Sequence, residues 1–145
     1  MLLSQLCVIS AYIKRRANLV LLSEDQTEIS ARELESCLRE SLSNLQLCGV
    51  MTHLTCGCDG NASVQQIISL YDCFEDVLEA LLTQLTAIAV FAEYKEDSIL
   101  LRIQAGCREI PTYSPNPLLP GGVIHAQVQD QDLIIEATIK QGGNK

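Results

Sequence analysis

The sequence predicts an α+β two-layer sandwich, with helices packed on one face of a mixed, mostly antiparallel sheet. Two segments, 30–49 and 63–85, repeat apolar residues at helical spacing behind helix-start signals. Four later runs, from residue 87 onward, read as strands paired into two hairpins. Two long helices facing such a sheet bury each other's apolar surface, which makes two layers.

The totals agree with that class. A chain of 145 residues, 48% hydrophobic and 19% charged, is large enough for one packed core and too apolar for disorder. Its net charge of −8 excludes the basic footprint that nucleic acids and anionic membranes require. The short cluster Lys14-Arg15-Arg16 reads as a solvated helix end. Seven cysteines are an odd number, with no secretory signal before them. Cys37 and Cys73 fall within helical patterns, where a thiol serves as a small hydrophobe, so a reducing cytosol is the expectation. No window approaches the roughly 20 apolar residues that span a bilayer, so the domain is expected to be soluble and free of membrane contact.

In chain order, Leu2, Leu6, Ile9 and Ile13 recur at helical spacing and predict a short helix over 2–14. Asn18–Leu22 is a brief apolar run, read as a buried strand, and Glu24–Glu28 as a polar connection. Ser30-Ala31-Arg32-Glu33 has the form of a capping box. It opens a helix with Leu34, Cys37, Leu38, Ser41, Leu42 and Leu45 on one face, ending near Gly49. Val50–Cys56 reads as a strand, closed by Gly57-Cys58-Asp59-Gly60. Ser63-Val64-Gln65-Gln66 opens the longest helix, with Val64, Ile67, Ile68, Tyr71, Phe74, Val77, Leu78, Leu81, Leu82 and Leu85 on its apolar side and Asp72, Asp76, Glu79 and Thr83 opposite. Ala87–Tyr94 and Ser98–Gln104 form the first hairpin, and Val123–Gln129 and Asp132–Ile139 the second. Residues 106–122, with all four prolines, form a long loop between them. The domain division is therefore 1–17 as an N-terminal helix or linker, 18–140 as the sandwich, and 141–145 as a frayed tail.

The order of elements over residues 18–140 resembles the ATP-binding domain of the GHKL superfamily, to which bacterial sensor histidine kinases belong. Leu70-Tyr71 through Asp76-Val77-Leu78-Glu79-Ala80 resembles its N-box helix, and Gly121-Gly122-Val123-Ile124 with Leu133–Ile139 its terminal hairpin. The resemblance implies a Bergerat-like sandwich, ATP and Mg as cofactors, a cytoplasmic place or the cytosolic portion of a membrane-anchored sensor, and a role in two-component signalling. Its partners would be other domains of the same sensor protein, a response-regulator-type protein, and a second copy in a homodimer. Residues 2–14 would be either the tail of a dimerisation region or a helix folded back on the core.

The sequence also departs from the family. The N-box reads as Glu followed four residues later by Asn, which helps hold magnesium between the phosphates. One alignment puts Asp76 at the acidic position and Ala80, with no oxygen, at the Asn position; a slip of one residue puts Glu75 and Glu79 there instead. The family's Asp-x-Gly-x-Gly, which reads adenine, is replaced by Gln104-Ala105-Gly106-Cys107-Arg108. The glycine-rich lid is replaced by the proline-rich stretch 111–120, whose prolines lack amide hydrogens for a phosphate cradle. Nucleotide binding is expected to be weak or lost, with Glu75, Asp76 and Glu79 as the residues that would hold metal and nucleotide if it is retained. No catalytic residue is assigned: the two histidines, His53 and His125, fall in strand patterns, away from any phosphoacceptor helix.

His53, Cys56 and Cys58 offer zinc-type ligands at close spacing. A strand would point His53 and Cys56 to opposite faces, and a strand end closing in a turn explains the same residues. No Walker-type loop, dinucleotide fingerprint or nucleophile elbow is present.

Overall fold

The computed structural model describes the backbone of residues 2–95, 97–109, 112–114 and 122–140, with side chains from Gln5 onward. Its elements run α1 (Leu2–Asp25), β1 (Glu28–Ser30), α2 (Arg32–Leu47), β2 (Met51–Gly57), β3 (Asn61–Ser63), α3 (Val64–Leu81), β4 (Leu85–Lys95), β5 (Ser98–Cys107), β6 (Gly122–Gln129) and β7 (Asp132–Lys140). Five strands form one sheet in the order β2-β4-β5-β7-β6. Among the described strands of this sheet only β2 and β4 pair in parallel, and α3 supplies the crossover that a parallel pair requires. β1 and β3 make a separate two-stranded ribbon.

The periodicities account for most of this. α2 buries Leu34, Cys37, Leu38, Ser41, Leu42 and Leu45, the face expected from spacing, and ends before Gly49, whose φ of 88° suits glycine. α3 buries Ile67, Ile68, Tyr71, Phe74, Val77, Leu78 and Leu81 on the sheet and on α2; it ends at Leu81, so Leu85, expected on the helix, instead opens β4. The strands meet them with alternate residues: Ile88, Val90 and Ala92 from β4; Ile99, Leu101 and Ile103 from β5; Leu133, Ile135 and Ala137 from β7. The second hairpin turns at Asp130 and Gln131, both at positive φ (53° and 71°), as a tight two-residue turn demands.

The capping boxes form differently from expectation. Ala31 takes the N-cap position of α2 without a side-chain cap bond, while the Arg32 amide donates to Ser30 Oγ at 3.2 Å. Gln66, expected to reach back within its own box, donates through Nε2 to the Lys140 carbonyl, tying α3 to the end of β7.

The N-terminal reading needs correction. Residues 2–25 are one uninterrupted helix, so the strand expected at Asn18–Leu22 is helical and the boundary drawn at residue 17 falls within α1. The buried face is also not the expected stripe. Val8 and Leu19 are buried, with Tyr12 and Leu22 packed beside them, whereas Leu6 and Ile13 are 51% and 59% exposed. The run Leu19-Val20-Leu21-Leu22 is strand-like in composition, but a helix divides it between core and surface: Leu19 faces in and Leu21 faces out.

Residues 141–145 and most of 110–121 lie outside the described residues, so the expected frayed tail and proline-rich lid replacement are not described.

Candidate functional site

The carboxylates of α3 form a row, Asp72, Glu75, Asp76 and Glu79, at helical spacing of three and four residues, and α3 contains no lysine or arginine. Two of the four are engaged by neighbours. Asp72 Oδ1 accepts from the Tyr12 hydroxyl and from Arg16 Nε at 2.9 Å, while Arg16 donates a second bond to Oδ2 at 3.1 Å, so α1 grips α3 here. Tyr12 also stacks obliquely on Tyr71, ring centroids 5.2 Å apart. One turn on, exposed Asp76 accepts from the hydroxyl of Tyr113, in the loop after β5. Burial and these carboxylate contacts both push the two tyrosine hydroxyls above their ordinary pKa.

Glu75 is different. It is 2% exposed, and no donor from another element reaches its oxygens among the described residues; its neighbour is the Glu79 carboxyl. Burial first, and then the neighbouring Glu79 carboxylate, raise its pKa from 4.5 to about 8. Glu79 itself is exposed one helical turn further on, and no ion pair reaches either residue among those described. Ala80 is exposed beside it. The helix therefore offers one buried carboxyl whose neighbour is an exposed one, and two carboxylates committed elsewhere.

Two adjacent carboxylates repel phosphates unless a metal lies between, and magnesium is commonly held by one or two carboxylates with waters and phosphates completing its shell. β5 carries no carboxylate: Gln104 donates to Asp132 Oδ2 at 2.9 Å across to β7, and Ala105 is buried.

The second ligand set is split. His53 is exposed on the outer sheet face and shares a hydrogen bond with Thr55 at 3.2 Å. Cys56 is half-buried on the opposite face, beside buried Cys58. The two thiols touch each other, and burial pushes Cys58 up to about 12. Among the described residues, no three of His, Cys, Asp and Glu converge as a metal site. Hollows on the outer face, one of ≈ 340 Å³ beside Met51, His53 and Ala89 and another of ≈ 310 Å³ beside His125 and Glu136, lie away from α3.

Sequence reasoning missed Tyr12, Arg16 and Tyr113. Arg16 was read as solvated, and nothing local to α1 signals that its partner sits 56 residues away.

No protein-family model matches the sequence, and no curated protein does. Solved structures match strongly. The catalytic domain of histidine kinase ThkA aligns over 79% of this chain and 95% of its own, at 12% identity and TM-score 0.56. The fold is that of a histidine kinase catalytic domain. Acinetobacter baumannii histidine kinase AdeS matches over 98% of this chain and 83% of its own, at 14% identity and TM-score 0.57. The histidine kinase domain of the Erythrobacter litoralis EL346 blue-light activated kinase covers 90% of this chain and 75% of its own, at 12% identity and TM-score 0.61. ThkA is also seen in complex with the response regulator protein TrrA, a structure matching 89% of this chain and 47% of its own at 9% identity and TM-score 0.59. No helix of the described residues is long and apolar enough to cross a membrane.

Proposed function

We propose that this chain is the ATP-binding-type domain of a sensor-histidine-kinase-like protein in two-component signalling, altered so that nucleotide binding is weak or lost. The carrying observation is chemical. On the histidine kinase catalytic fold, the metal-side helix offers Glu75 and Glu79, or Asp76 and Ala80, where the family uses Glu and Asn, and β5 offers no adenine-reading carboxylate. Magnesium, when bound, would screen phosphate charge there; the chain's own part would be to hold it through Glu75 and Glu79. The domain would work in the cytoplasm beside other domains of its sensor, with a response-regulator-type protein as partner, by analogy with the ThkA–TrrA complex.

The test is the thermal midpoint with and without Mg-ATP. A ligand that binds only the folded state must raise it, and at a hundredfold excess over Kd the gain is about 2.7 kcal/mol. The expected result is a shift under about 2 °C with millimolar Mg-ATP. A large, saturable shift would overturn the loss of nucleotide binding.

A second reading, a non-catalytic signalling and dimerisation module on the same fold, has its own support. Leu6, Ile13 and Val20 are spaced by seven residues along α1 and are exposed, with Leu21 beside Val20. Such a seam suits another helix. This reading expects a concentration-dependent dimer by analytical ultracentrifugation, weakened at least about tenfold by Leu6→Glu with Ile13→Glu, a loss of about 1.4 kcal/mol; a monomer at all concentrations rejects it.

A further inference from the structure

We propose that the open edge of β2, with the stripe of α2 beside it, takes an extended segment of a partner protein as an added strand, one that carries an acidic side chain opposite Arg39. This surface is separate from α3, and its use does not depend on whether nucleotide binds.

β2 ends the five-stranded sheet and pairs with β4 alone, in unbroken register from Met51 to Gly57. Along such an edge alternate residues turn their amide and carbonyl groups outward, a template for one more strand. No backbone hydrogen bond outside that ladder reaches residues 51–57 among the described residues. Sheet edges are commonly blunted by a proline, a charged side chain or a bulge. Met51-Thr52-His53-Leu54-Thr55-Cys56-Gly57 holds no proline, lysine, arginine or carboxylate, and its register with β4 does not shift.

What lies beside the edge selects the occupant. Arg39, Ser43 and Gln46 of α2 line, with Thr52, His53 and Leu54 of β2, a hollow of ≈ 250 Å³. In strand addition main-chain bonds give affinity, and pockets for alternate side chains give selectivity. This hollow is walled by a guanidinium, an imidazole, hydroxyls and an amide, with no carboxylate, on a chain of net charge −8. Arg39 donates through Nη2 to Glu35 at 2.8 Å, yet its side chain stays 62% exposed. The guanidinium fork has further donors, enough for a second carboxylate. A second copy of the chain does not answer that charge: neither of its edge strands, β2 or β6, carries an acidic residue. The hollow beside β6 is lined by Glu136, which would repel an acid, so the opposite edge is not the site.

The probe is a displayed library of random peptides of seven residues, the length of β2, selected on the whole chain without nucleotide. Selection should enrich alternating β-branched residues with one Asp or Glu, and the strongest binder is then synthesised. It should slow amide exchange at residues 51–57 at least about fivefold and leave β6 unchanged. N-methylation of one alternating set of its amides should weaken binding at least about tenfold, while the other set tolerates it, because an added strand turns only every second amide toward the edge. Arg39→Gln should weaken binding about threefold, and Glu35→Gln, which frees the guanidinium, should tighten it about twofold. Both residues lie on the surface of α2, and far-UV circular dichroism would confirm the fold of each variant. A library that yields no binder overturns the proposal, as does a binder that leaves exchange at residues 51–57 unchanged. Equal tolerance of both N-methylated sets, or equal affinity for Arg39→Gln, overturns it too. Protection of β2 by dimerisation of the chain alone would assign the edge to a second copy and overturn it as well.

Discussion

Glu75 occupies a helix position that would ordinarily hold an apolar residue. Tyr71, Phe74, Glu75 and Leu78 share one arc of α3, and that spacing buries Glu75, a position absent from the apolar face expected from the sequence. What spacing does not reveal is whether a buried acid finds partners; that depends on side chains from α1 and the loop after β5, and they go to Asp72 and Asp76 instead. The consequence is a pH dependence with a definite sign. The Glu75 carboxyl titrates near 4.5 when unfolded and at about 8 when folded. Below 4.5 both states carry the proton, and between the two values only the folded state does. Stability in metal-free buffer should therefore fall as pH rises from 4.5 through 8, by up to about 1.4 kcal/mol per pH unit, and then level off. Glu75→Gln should flatten that slope and leave the variant more stable than the parent at pH 9. Urea denaturation across this range checks it, and parallel slopes for the two proteins would refute it.

α1 shows how an element's type and its orientation come from different sources. Its helical spacing was visible over residues 2–14, but apolar residues occur on more than one side of it, so composition does not choose the docked face. The choice is made by what α2 and α3 present. Glu40 takes Arg15 and Asp72 takes Arg16 and Tyr12, and these contacts turn Val8, Tyr12 and Leu19 inward. The ion pairs are partly exposed and contribute at most about 1 kcal/mol each, so they orient the helix more than they hold it. Apolar burial does the holding. Leu19→Ala, at a site 2% exposed, should cost about 2–4 kcal/mol. Leu21→Ala, at a site 61% exposed, should stay within about 0.5 kcal/mol. Equal losses would mean that α1 docks by another face. The same ambiguity explains the missed helix over 18–22: Leu-Val-Leu-Leu suits a strand locally, and only packing against a helical layer decides otherwise.

The whole molecule is a sheet covered on one face, with its longest ladder, β4 to β5, near the middle and β2 and β6 at the edges. The second hairpin docks by β7 and leaves β6 outside. β7 carries the consecutive buried run Leu133-Ile134-Ile135, whereas β6 presents His125, Gln127 and Gln129 to solvent. A strand flanked on both sides buries its backbone donors more completely, so amides of β4, β5 and β7 should exchange with solvent slowest, and those of β2 and β6 at least about tenfold faster. Hydrogen exchange read by mass spectrometry checks this, and a protected β6 would contradict the strand order. By itself the sequence determined the existence of the helices that begin at residues 32 and 64, both hairpins and the two-layer class, because each follows from a local period of apolar residues; the end of the second helix at Leu81 instead of Leu85 did not follow from that period. The course and docking of α1, the pairing of β7 with β5, and the sorting of four equivalent carboxylates into two engaged by other elements and two that neighbour each other were decided only by the tertiary structure. Those outcomes depend on groups tens of residues apart meeting in space, and no local pattern encodes which of several similar side chains a distant partner will reach.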